Sequence, residues 1–270
     1  QVIIPQTSLE PAPTCCLHQP FFEIVERQPE ATAIVTSSDR MSYGFLAQRV
    51  RAVTAALHEV GVTAEDRVAI LAQRDPSLVE AMLGISASGA SFAIIDCTYP
   101  MDRILFMLDR LGARFLVAAG AEVPVELASR ITSIRPDHTV TVQPHIANGP
   151  PRQHFCHMFT SGTTGLPKLV SHPDTTLLRF LAWQAKTLDL PCNITTIMLA
   201  GIAHDPTLRD VFLPLCHGGT VAIPTPEEMS RPEALRRLFN HAQCNVVRFS
   251  PSTARLLTAG DARATELESL

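Results

Sequence analysis

From His157 to Lys168 the chain reads His-Met-Phe-Thr-Ser-Gly-Thr-Thr-Gly-Leu-Pro-Lys. Residues 160–168 hold two glycines, four hydroxyl side chains and one lysine. Gly162 and Gly165 can take φ > 0 and bring the backbone close to a ligand. Exposed N–H groups, the hydroxyls of Thr160, Ser161, Thr163 and Thr164, and the Lys168 ammonium then converge on one small volume, a cradle for a polyphosphate. The segment is not the common P-loop, which needs Ser or Thr directly after the lysine and then a helix. Leu169 follows here, in a β-like context. The bland competitor is an ordinary Ser/Thr/Gly hairpin turn; the nine-residue order with its Pro-Lys ending is rare for one.

Such a loop needs a rigid frame. A β-run over 155–159 leads into it and a shorter one over 169–171 leads out. Upstream, Leu17, Phe21, Ile24 and Val25 make a helical stripe ahead of a strand over 31–36. Ser42 is placed to cap a helix with apolar positions Leu46, Val50, Val53 and Leu57, and Gly61 to stop it. Strands over 67–71, 92–95 and 114–118 alternate with helices over 76–88 and 100–111, the second ended by Gly112. Residues 120–152 carry five prolines and read as irregular strands and a connection. Beyond the loop, Asp174 is placed to cap a helix through Leu188, and strands are expected over 194–199, 220–223 and 245–249. Helices are expected over 205–215 and 231–241 and from Pro251 onward. This βα rhythm predicts an α/β fold with a largely parallel sheet.

Composition narrows the function classes. With 270 residues and 46% apolar content the chain can bury a sizeable core, or two packed subdomains. A net charge of −4 with interspersed signs supplies no basic face for nucleic acid. Seven cysteines without a CxxC pair or Cys/His ligand spacing suit reduced thiols in a cytoplasmic protein, and no metal site is expected from them. No apolar run reaches the length of a membrane span, and no signal peptide is visible.

Thr160-Ser-Gly-Thr-Thr-Gly-Leu-Pro-Lys168 resembles the phosphate-loop signature of the adenylate-forming (AMP-binding) superfamily. Three more segments are similar to the adenylation domains of nonribosomal peptide synthetases: Met41-Ser-Tyr-Gly-Phe-Leu46, the run from Ser86 to Pro100 followed by Asp102-Arg103-Ile104, and Ala203-His-Asp-Pro-Thr-Leu-Arg-Asp-Val-Phe212. The resemblance implies a layered αβαβα N-terminal core. Residues 1–15 would be a linker and 16–270 part of that core, divided into a first βα portion (16–150) and a phosphate-loop and substrate-pocket portion (151–270). It also implies that the family continues past Leu270 with an adenine-binding segment, a ribose-binding acid and a lid carrying a catalytic lysine. The 270-residue stretch alone is therefore not expected to adenylate.

Roles follow by the same resemblance. Thr160, Ser161, Gly162, Thr163, Thr164, Gly165 and Lys168 would hold the β- and γ-phosphates of ATP, with Lys168 acting in catalysis and Mg²⁺ sharing the charge. Asp205 would pair with the α-amino group of an amino acid. Pro206, Arg209 and Arg248 would line the side-chain pocket, where two arginines suit an acidic side chain. His204 stands where the family often has an aromatic residue. As residues alone, Asp205 and Arg209 are four apart on an expected helix and read equally as a solvated salt bridge; a lone histidine reads as structural. Leu169 departs from the family's usual glycine and adds bulk at the loop. The implied activity is ATP-dependent formation of an aminoacyl adenylate, then transfer to the phosphopantetheine thiol of a carrier protein. The alternatives are an acyl- or aryl-CoA ligase of the same superfamily and a non-catalytic module that keeps only the fold.

Overall fold

The computed structural model describes residues 13–139, 143–160, 167–191, 193–248 and 250. Helix α1 (Gln19–Arg27) buries Phe21, Ile24 and Val25, the stripe expected of it. Strands β1 (Thr32–Val35) and β2 (Arg40–Ser42) pair antiparallel. Ser42 then caps α2 (Tyr43–Glu59), its hydroxyl accepting the Phe45 N–H at 3.2 Å. Strand β3 (Arg67–Ala72) precedes α3 (Pro76–Ser88), capped by Asp75 through the Ser77 N–H at 2.6 Å. Strand β4 (Ser91–Asp96) precedes α4 (Met101–Leu111), which Gly112 ends at φ 67°, a left-handed conformation cheap only for glycine. There follow β5 (Phe115–Ala119), the short α5 (Val125–Ala128) and β6 (Thr132–Ile134). Then come β7 (Cys156–Thr160), β8 (Lys168–His172), α6 (Asp174–Thr187), β9 (Thr195–Ile197) and α7 (Asp205–Leu215). The described elements end with β10 (Thr220–Ala222), α8 (Pro226–Met229) and α9 (Pro232–Ala242).

The strands form a six-stranded sheet, β6-β5-β3-β4-β7-β8, and a four-stranded sheet, β2-β1-β10-β9. Within them only β7–β8 and β1–β2 pair antiparallel. The parallel pairs need crossovers, which the intervening helices supply. Side-chain alternation along each strand then sorts the helices into layers. Val68, Ile70, Phe92 and Ile94 face a central core shared with α2 and α3. Their neighbours Ala69, Leu71, Ala93 and Ile95 face Ile104, Met107 and Leu108 of α4 on the other side. In the second sheet, Ile34 and Val221 join the central core with Leu208, Val211 and Phe212 of α7, whereas Val35 and Ala222 face Leu235, Leu238 and Phe239 of α9. The order is α4, sheet, central helices, sheet, α9, which is the expected αβαβα layering. Each fully buried Leu, Ile, Val or Phe in it stabilises by about 1.5–3 kcal/mol.

Three expectations need correction. Asp174 does not cap its helix: Pro173 is the N-cap residue, and Asp174 is the first helical residue. Its carboxylate turns inward to the Arg152 guanidinium (Nε–Oδ2 3.1 Å) and to the Leu17 N–H (3.3 Å). Charge-assisted bonds away from water are stronger than a solvent-facing cap. The strand expected over 245–249 shrinks to one bridge, Thr196 to Val246. There the Asn245 side chain itself accepts the Thr195 N–H at 2.8 Å, so the residue serves as an edge anchor. Within the irregular 120–152 stretch, α5 is an unexpected helical turn. The helix expected from Pro251 lies outside the described residues. Among the described residues, no helix is long and apolar enough to cross a membrane.

Candidate active site

The phosphate-loop signature begins and ends on facing strands. Thr160 closes β7, Lys168 opens β8, and the two are register partners. Both are exposed. Ser161, Gly162, Thr163, Thr164 and Gly165 lie outside the described residues. The base of the hairpin is fixed from two sides. His157, only 1% exposed, bonds Ser171 of β8 through Nδ1 (2.8 Å) and Ser91 of β4 through Nε2 (3.0 Å). Burial holds its imidazole down to about 4, so the ring is neutral. Leu169 pairs with Phe159, and both pack against the cluster beneath α4. The bulk that departs from the usual glycine therefore anchors the strand leaving the loop.

Thr160 faces a cleft of about 370 Å³, lined also by Tyr99, Arg103, His172, His204 and Asp205. Arg103 stacks over the Tyr99 ring, its Cζ 4.1 Å from the centroid. It adds a cation that composition and spacing did not single out; the only signal was its place in the Asp102-Arg103-Ile104 element. Opposite stands the start of α7. The His204 N–H donates to the Gly201 carbonyl at 2.9 Å, and the Thr207 hydroxyl donates to the same oxygen at 3.0 Å. This pins the entering loop and leaves Asp205 exposed in the first helical turn. The partial positive charge of a helix N-terminus favours a carboxylate there. The His204 side chain makes no capping bond and lies along Gly201, where an added Cβ would meet its Cδ2 at 2.6 Å.

The alternative reading of Asp205 as half of a salt bridge with Arg209 does not hold. Asp205 forms no ion pair with another described residue, and Arg209 Nε lies 3.9 Å from Asp210 Oδ1 instead. The expected pocket residues Pro206, Arg209 and Arg248 gather around a second cavity of about 470 Å³, together with Asp210. Asp210 is 2% exposed, and burial pushes its carboxyl up to about 6 although Arg209, Arg248 and Arg74 all pull it down. Arg74 donates to the carbonyls of Met198 and Ala200, which fixes the strand end that forms the cavity wall. Neither Asp210 nor Arg74 was legible as a site residue: one reads as a helical position beside Arg209, the other as an exposed loop arginine. A third, more apolar cavity of about 240 Å³ between α6 and α7 is bounded by Phe155, Leu177, Phe180, Asp205, Pro206 and Arg209. The first turns of α7 thus stand at the junction of all three.

A two-sheet αβαβα core, with Thr160 at the end of β7 sharing a cleft with the acidic N-terminus of α7, fits the class of adenylate-forming enzymes. The chain belongs to the family described as AMP-binding enzyme, whose model matches residues 21–270. Bacitracin synthase 3 of Bacillus licheniformis is 27% identical over 259 residues, covering 96% of this chain and 4% of that protein. L-2-aminoadipate reductase of Saccharomyces cerevisiae is 29% identical, covering 90% of this chain and 20% of its own length. The chain thus spans a small fraction of these relatives. In fold it is similar to the nonribosomal peptide synthetase FmoA3, with a TM-score of 0.86 at 24% identity over 97% of this chain and 28% of that one.

Proposed function

We propose that this chain supplies the phosphate-loop and substrate-pocket part of an enzyme that activates an amino acid. The reaction joins the amino-acid carboxylate to the α-phosphate of ATP, releases pyrophosphate, and passes the aminoacyl group to a carrier protein's phosphopantetheine thiol. The observation that carries this reading is the shared cleft: Thr160, from the end of the phosphate-loop strand, and the carboxylate of Asp205, which pairs with no cation among the described residues, line one space of about 370 Å³. Such a space suits a ligand with polyphosphate at one end and an ammonium at the other.

ATP would supply the leaving group that an unactivated carboxylate lacks. Lys168 and the Thr160 hydroxyl, with residues 161–166 between them, would position the phosphates and meet the charge that gathers in the transition state. Asp205 would hold the substrate ammonium by a charge-assisted bond, and Pro206, Arg209 and Arg248 would select the side chain. His204 borders the same cleft and would pack against the substrate or its adenylate. Among the described residues no group of three or more His, Cys, Asp or Glu could hold a metal ion. No step here depends on one. The division at about residue 150 belongs to this reading, residues 16–150 framing the site and 151–270 carrying it. A cytoplasmic setting suits the free thiols of the described cysteines. The names of the relatives, a bacitracin synthase and a nonribosomal peptide synthetase, support transfer to a carrier rather than to free coenzyme A.

The test is ATP–pyrophosphate exchange by the intact native polypeptide that contains this chain. Exchange that depends on an amino acid supports the proposal. Exchange only with acids lacking an amino group would make it an acyl- or aryl-CoA ligase. No exchange with any carboxylate would leave a non-catalytic module.

A further inference from the structure

Two guanidinium groups converge where the cavity beyond Asp205 ends. Arg209 Nε and Arg248 Nη1 lie 3.9 and 3.5 Å from the same oxygen, Asp210 Oδ1. Neither distance makes a strong hydrogen bond. Arg209 Nε and Arg248 Nη2 are both buried, and neither finds a hydrogen-bond partner among the described residues. Leaving a buried charged donor unsatisfied is costly, so two in one wall call for an acceptor. The charge balance agrees. Arg209 and Arg248 face one carboxylate, Asp210, so the group carries an excess of positive charge. Arg74 is bonded to backbone carbonyls and adds a third positive charge that acts on Asp210, with Asp96 as a further opposing charge. Both arginines line the same space of about 470 Å³.

We propose that the substrate is an amino dicarboxylic acid, whose second carboxylate is bound between Arg209 and Arg248. Arg209 lies one turn along α7 from Asp205, about 6 Å at 1.5 Å per residue. Asp205 and Arg209 both border the cavity between α6 and α7, so a molecule with its ammonium on Asp205 and one carboxylate beside Thr160 would direct its distal carboxylate along α7 towards the arginines. An alkyl or aromatic side chain would leave the two buried donors, Arg209 Nε and Arg248 Nη2, without an acceptor. A side-chain amide would offer one oxygen acceptor and two donors that meet like donors. This inference deepens the proposed function and rests on it.

The experiment is amino-acid-dependent ATP–pyrophosphate exchange by the intact polypeptide. The panel comprises amino dicarboxylic acids of increasing chain length, their side-chain amides and apolar amino acids of similar size. The expected result is a kcat/KM for one dicarboxylic acid at least about tenfold above that for its amide. Arg248→Gln should reduce that ratio by about tenfold or more without lowering the melting temperature by more than a few degrees. If the variant does not fold, the wild-type panel decides. Exchange with neutral amino acids in preference to dicarboxylic ones overturns this inference and leaves the adenylation reading intact. Exchange with no amino acid overturns both.

Discussion

Arg152 and Asp174 hold the central helices together from opposite sides of one buried ion pair. Asp174 is fully buried, and its Oδ2 accepts the Arg152 backbone N–H at 2.7 Å and Nε–H at 3.1 Å. Arg152 then donates to the Ala90 carbonyl at 2.8 Å and the Ser86 hydroxyl at 2.7 Å, reaching the C-terminal end of α3. Removing one partner strands the other's charge in the interior. Asp174→Ala should therefore cost about 3–5 kcal/mol, and Asp174→Asn, which keeps an acceptor, less. Urea unfolding of both variants checks this; equal losses would mean that the acceptor kept by asparagine contributes nothing and the charge alone carries the effect.

The same core leaves no room at Gly84. A Cβ there would lie 2.5 Å from both Cβ and Cγ1 of Val53 across the α2–α3 interface. Alanine would gain about 1 kcal/mol of helix propensity, but overpacking costs about 1–3 kcal/mol. Gly84→Ala alone should therefore be destabilising, and it should turn neutral or stabilising in a Val53→Gly background, which removes both contacting carbons. A thermodynamic cycle on the two substitutions reads the sign change; additive effects would refute the packing account.

Acid should expose the buried histidines. His157 is held down to about 4, and so is His18, in both cases chiefly by burial. His18 bonds the Ser86 hydroxyl at 3.0 Å and the Ala147 carbonyl at 2.7 Å. Between pH 6.5 and 4 the unfolded chain takes up a proton on each ring and the folded chain does not, so their contribution falls as pH falls. Asp210, pushed up to about 6, works in the opposite direction, because there the folded form binds the proton first. Comparing wild type with His157→Gln cancels the Asp210 contribution. The stability advantage of wild type should shrink on the order of 3 kcal/mol from pH 6.5 to 4. A pH-independent difference would mean that His157 titrates normally.

Lys168 is exposed at the first position of β8, so its loss should leave the fold within about 0.5 kcal/mol of wild type. In the intact polypeptide, Lys168→Ala should lower kcat/KM for ATP at least about tenfold, since a charge-assisted contact is worth roughly 1.5–3 kcal/mol. Unchanged kinetics would remove Lys168 from the mechanism.

Local order was legible wherever one short-range signal dominated. Ser42 as a cap, Gly112 as a stop and the apolar runs of β3, β4 and β5 are each set within a few residues by backbone sterics and burial. The order of the signature from Thr160 to Lys168 was enough to point to phosphate and to the family. Partner choice was not legible, because charged groups choose among neighbours brought together only by the fold. Asp174 has the type and place of a cap, yet it turned inward once folding brought Arg152 and Leu17 to it. Asp205 and Arg209 have helix spacing for a pair, yet Arg209 is nearer Asp210, which leaves Asp205 facing the cleft. The sequence by itself determined most of the elements and the family. Only the tertiary structure decided which carboxylate stays unpaired and which arginines share a cavity, because burial sets the strength of every charge interaction and burial belongs to the packed whole.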